Sequence, residues 1–253
     1  MEQQHKSSAL QLGLLVFGAL AVLTAVEFAL ALVTKLWQPL VLIALIKAGL
    51  VLYYYMHISR LFEADVDPDH ASYTYKLTTN RLGLWLFLLS DLFIFGGLLL
   101  SRINLLGLTR PELNQVVGLS VTVILLLSSF FANRGEVSME YGDRKQFILS
   151  IAITITLGVL FLAGVLGVEW GMAPFGPGEN IYSAVFYVMT GFHAFHVFTG
   201  VVFLAIVLRN GLRGHYSAEK HWAVEASVVY WHFVDLVWFF FYPALYLIGT
   251  MAN

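Results

Sequence analysis

Three histidines and two aspartates of this chain sit inside long apolar runs, where an ionisable side chain needs a partner or a purpose. His193 and His196 are three residues apart, as are His232 and Asp235, so each pair shares one helix face. Asp91 lies in a further apolar run. At about 1.5 Å per residue from the ends of their runs, all five reach similar depths, as one internal polar cluster would. Three chemistries fit them. His193, His196 and His232 with a carboxylate would make a ligand set for iron or zinc. Asp91, His232 and Asp235 would serve as a proton relay. Interhelical hydrogen bonding that holds a bundle together is the third reading.

Two more charges lie in the first two apolar runs. Glu27 and Lys47 fall at depths that a tight hairpin brings within reach of one another, so they are expected to pair and lock it. The alternative is that Lys47 snorkels to the interface or faces another subunit.

The elements that must position these groups follow from hydropathy. The 253 residues are only 12% charged, against roughly 25% in soluble domains, and mean hydropathy is +0.78. An all-α membrane protein is predicted, with seven spans near Leu10–Val33, Trp37–Ile58, Leu82–Leu100, Val116–Ala132, Phe147–Val168, Ile181–Leu208 and Ala223–Thr250. The first span is too long, and carries Glu27 too deep, for a signal peptide. Ten Lys and Arg fall on the side of the N-terminus and three on the other, which places the N-terminus in the cytoplasm and the C-terminus outside. Trp37, Trp85, Trp170 and Trp222 lie toward span ends as an aromatic belt does. A net charge of -2 gives no field for nucleic acid. The absence of cysteine removes disulfides, thiolate metal centres and a cysteine nucleophile from the chain.

The charged, Pro68-containing stretch after the second span divides the chain. Residues 1–62 form a transmembrane hairpin, 63–80 a polar linker and 81–253 a five-helix bundle. The Gly- and Pro-rich segment Glu169–Asn180 reads as a tight cap rather than helix.

Specific blocks then carry a resemblance. Arg81 to Trp85 with Ser90-Asp91, Met139 to Lys145, Ile153 to Gly158, Gly191 to Val197, and Glu225 with Tyr230 to Trp238 resemble, in order and spacing, subunit III of cytochrome c and quinol oxidases. The resemblance covers about residues 78–250, and Asp91 stands where the family usually has glutamate. The first hairpin is similar to the small bacterial oxidase subunit IV in Lys47 and in Met56-His57-Ile58-Ser59-Arg60. The chain therefore reads as a fusion of subunit IV to subunit III, the alternative being a diverged first helix pair of subunit III.

The resemblance implies a non-catalytic subunit of a proton-pumping haem-copper terminal oxidase, in an aerobic respiratory chain that reduces oxygen to water. No catalytic centre and no metal are expected in this chain. Haems and copper would belong to the partner subunits I and II. Phospholipid is the one expected ligand, with Trp85, Arg209 and Arg213 as contacts. Asp91, His193, His196, Glu225, His232 and Asp235 become an internal hydrogen-bonding or proton-related cluster. The location implied is the bacterial inner (plasma) membrane, with a respiratory supercomplex as a further partner. A quinol-oxidase or nitric-oxide-reductase-associated relative shares the same blocks. A transporter would instead carry substrate alone.

Overall fold

The computed structural model describes residues 2–34, 36–61, 73–110 and 112–251. Among these, seven helical segments are long and apolar enough to cross a membrane. The first, α1 (Glu2–Val33), turns at once into α2 (Gln38–Leu50), whose first turn holds Pro39, a residue that suits that position. The helix then widens into a π-helical stretch, Val51–Tyr55. Next come α3 (Tyr73–Leu106), α4 (Gln115–Glu140), α5 (Arg144–Leu162), a second π-helical stretch (Ala163–Glu169) and the short α6 (Trp170–Met172). They are followed by α7 (Ile181–Leu212) and α8 (Trp222–Tyr242), which runs on through a third π-helical stretch, Pro243–Leu247. Side-chain oxygens close the N-termini of α4, α5 and α7: Asn114, Asp143 and Asn180 each accept from backbone N–H groups of the first turn.

The last span is the pillar of the molecule. Its most apolar window is 94% buried inside the protein, against 17–44% for the other six. The span carries His232 and Asp235, which are costly to leave facing lipid, and α3, α4, α7 and the hairpin helix α2 all pack on α8. The fit is close because small residues meet large ones. Trp231 is fully buried, and a Cβ added at Gly158 or Gly200 would lie 2.6 or 2.9 Å from its ring. Its indole N–H donates to Ser128 (3.0 Å), and that of Trp238 to Thr122 (2.9 Å), so neither buried donor is left unmet.

Seven spans put the two termini on opposite faces, called here the N-terminal and C-terminal faces. On the latter, β1 (Thr109–Arg110) pairs in parallel with β2 (Thr250–Met251).

Helices outrun the hydropathy signal. α3 begins at Tyr73, so residues 73–80 are helix rather than linker, and residues 63–72 lie outside those described. α4 continues to Glu140, well beyond Ala132, and helix persists to Met172 inside the segment read as a cap. Charges end a hydropathy window, but they do not end backbone hydrogen bonding once a helix has left a ~30 Å core.

Candidate functional site

The first two helices are joined inside the membrane by one ion pair. Lys47 Nζ donates to Glu27 Oε2 at 2.5 Å, and both side chains are fully buried. Lys47 also stands 4.9 Å from the centre of the Phe239 ring on α8, so the pair binds the hairpin to the central helix.

The mid-bundle polar residues form separate groups. On α8, His232 and Asp235 meet through Ser129 of α4. The Ser129 hydroxyl makes a short hydrogen bond to Asp235 Oδ2 and lies 2.8 Å from His232 Nδ1. With that hydroxyl donating to the carboxylate, His232 offers Nδ1–H and keeps its lone pair on Nε2. Nε2 and Asp235 Oδ1 are both buried without a partner. Tyr55, at the end of the hairpin, lays its ring 4.8 Å from that of His232 and donates its hydroxyl to the Gly13 carbonyl at 2.9 Å. A second group lies between α3 and α7. His196 Nδ1 is 2.8 Å from the Phe192 carbonyl, and Nε2 is 3.8 Å from Asp91 Oδ2, too far for a direct hydrogen bond. His193 joins neither group. It stacks on Trp238 at 4.9 Å within an aromatic box that includes Phe161, and both its ring nitrogens are without hydrogen-bond partners.

Glu225 sits apart on the N-terminal face, gripped by Arg81 through two parallel bonds of 2.9 and 3.0 Å. Arg60 approaches Glu140 at 3.5 Å. Between them Glu136 is 2% exposed, with neither carboxyl oxygen hydrogen-bonded. His57 is adjacent, in the left-handed backbone region at φ 48°. Burial, with Arg60 and Arg81 nearby and Glu225 opposing them, pushes its pKa down to about 4. A histidine depressed in the folded state contributes stability above its usual value near 6.5, and that stability is lost as pH falls toward 4. His57→Asn, which tolerates the left-handed backbone, is therefore expected to flatten the pH profile of unfolding across this window. Parallel losses in variant and wild type would show that His57 is not the source.

The lipid-contact candidates are on the same face. Arg209 and Arg213 are exposed at the end of α7, and Trp85 is half-buried on α3. An apolar recess lies at the other end. It encloses about 410 Å³ between α2, α3 and α8, lined by Trp37, Val41, Leu99, Ile103, Phe240 and Pro243. Arg102 closes its rim and binds four carbonyls, those of Gly107, Thr109, Ala244 and Ile248, at 2.6–3.0 Å. Arg110 and Gln115 both donate to the carbonyl of Tyr246, at 3.0 Å each.

Sequence reasoning missed Ser129, Arg102, Glu136 and Glu169. Helix phase would have placed Ser129 on the α8 side of α4, but a serine within an apolar run gives no signal of its own. Among the described residues, no three His, Cys, Asp or Glu side chains converge as a metal site needs. Three contacts join helices as bundle-holding bonds do: Glu27 with Lys47, Ser129 with His232 and Asp235, and Arg81 with Glu225.

Residues 6–250 match the family described as cytochrome c oxidase subunit III. The chain is 36% identical over 183 residues to cytochrome c oxidase subunit 3 of Cyprinus carpio, covering 67% of this chain and 70% of that protein. The corresponding protein of Thermostichus vulcanus is 37% identical over 174 residues, or 66% of this chain and 86% of the relative.

Proposed function

The chain belongs to the family of cytochrome c oxidase subunit III, and from that premise we propose that it is the non-catalytic, membrane-embedded third subunit of a haem-copper terminal oxidase. The observation that carries this reading is the family match along almost the whole chain, from residue 6 to residue 250. The complex would reduce oxygen to water and move protons, with haems and copper held by subunits I and II. The named relatives are cytochrome c oxidase subunits, which favours cytochrome c over quinol as the electron donor. The similarity to the Thermostichus vulcanus protein fits a bacterial plasma membrane. The charge bias supports a cytoplasmic N-terminus. Within the complex this chain shields the catalytic subunit and supports proton uptake. Acyl chains suit the apolar recess bounded by Trp37, Leu99 and Phe240, and lipid phosphates suit Arg209 and Arg213.

Two readings of the hairpin remain. The Lys47 position and the Met56 to Arg60 ending favour a subunit IV-like unit fused to subunit III. A family match that starts at residue 6 favours subunit III's own first helix pair. A separate two-helix subunit IV in the purified complex would count against the fusion.

The functional test is depletion. A complex stripped of this chain should keep its haem spectrum and begin turnover near the normal rate, then inactivate several-fold sooner than the intact complex. Loss of the haem centres themselves on depletion, or an unchanged lifetime, would contradict the reading.

A further inference from the structure

We infer that Glu169 is a water-linked proton-exchange site on the C-terminal face of the bundle. Glu169 ends the π-helical stretch Ala163–Glu169 and is 6% exposed. Its Oε2 accepts a hydrogen bond from the Tyr246 hydroxyl at 2.8 Å, and its Oε1 is buried with no partner. Beside it lies a cavity of about 10 Å³, whose wall includes Asn114, Val117, Met172 and Tyr246 together with Glu169 itself. That volume holds about one water molecule.

The polar lining suits a single water. Asn114 uses Oδ1 to cap α4, accepting from the N–H groups of Val116 and Val117, so its side chain has only amide N–H groups to offer the cavity. A water there accepts from Asn114 and meets Glu169 Oε1. Asn114 and Met172 are exposed, so the cavity lies one residue from the surface. Among the described residues no cation forms an ion pair with Glu169. Arg110, which donates to the backbone carbonyl of the same Tyr246, makes no bond to the carboxyl. The proton is placed on Oε1, the oxygen without a hydrogen-bond partner in the protein, from which it is donated to the water. Exchange is then balanced at every step. The water takes the proton from Oε1 as another returns from solvent, and the Tyr246 hydrogen bond holds Oε2 throughout. This assignment is independent of the complex that holds the chain.

The test is infrared spectroscopy of the purified complex carrying ¹³C-labelled glutamate in this chain, in H2O and after transfer to D2O. The wild-type minus Glu169→Gln difference should contain a protonated-carboxyl C=O band that shifts down within the mixing time in D2O. Tyr246→Phe should keep the band and move it up, because the hydrogen bond to Oε2 is gone, and this variant serves if Glu169→Gln fails to assemble. No protonated band assignable to Glu169 would overturn the proposal, as would a band that stays unshifted in D2O for hours.

Discussion

Lys47→Met is expected to destabilise the chain by about 3–5 kcal/mol, the usual cost of stripping one partner from a buried ion pair. Both side chains of the Glu27–Lys47 pair have no solvent exposure, so the carboxylate left behind finds neither water nor another cation among its contacts. Its Oε1 is unpartnered even in the intact pair. The loss falls on the docking of the hairpin, because Lys47 also lies over Phe239 of the central helix. Adding Glu27→Gln should recover most of that loss, since two neutral side chains of similar length remove the stranded charge. Denaturation midpoints of the two single variants and the double variant give the coupling directly. A double variant no better than either single would mean that the two charges do not act as a pair. The contrast is Lys6–Asp143, 2.7 Å apart but with side chains 22% and 34% exposed, whose removal should change stability by about 0–1 kcal/mol.

Arg102→Met is expected to cost about 3 kcal/mol or more. Arg102 is 2% exposed, and its guanidinium meets four carbonyls with no carboxylate. Two of these, of Ala244 and Ile248, end the last helix, where carbonyls have no partner within the helix. Hydrogen bonds to a charged donor are each worth roughly 1.5–3 kcal/mol, and an unmet buried acceptor costs about 1–3 kcal/mol. Losing several together therefore exceeds the loss of any one. Arg102→Lys keeps the charge but offers three donors on a flexible stem in place of a planar fork, so it should recover only part of the loss. Limited proteolysis at the C-terminal end, read beside the denaturation midpoint, would report both effects. Full stability in Arg102→Lys would show that charge, not geometry, holds the four carbonyls.

The seven spans and the Glu27–Lys47 contact were legible because charged residues are rare in lipid and each stands out against its run. The geometry at the helix ends was not. Glu136 and Glu169 fall just beyond the spans that hydropathy predicts, because nearby charges, or Gly171 and Pro174, end the apolar signal, yet the helices carry both inward to burial. Equal depth also misled. His193, His196, His232, Asp235 and Asp91 do lie in the middle of their spans, but depth along a helix says nothing about direction around it. Which groups meet was decided by large aromatic rings, with Trp238 taking the face of His193 and Tyr55 that of His232. Ser129, the link between His232 and Asp235, belongs to α4, and only tertiary packing brings it there.

The most direct test of the central claim is purification in mild detergent through a tag on this chain, with mass spectrometry of the partners and visible spectra before and after they are stripped. The account predicts that haem absorbance arrives with a large catalytic subunit and departs with it, leaving this chain colourless. A haem band retained by the stripped chain would make His193, His196 and His232 ligand candidates and contradict the account, as would a chain that purifies alone and without colour.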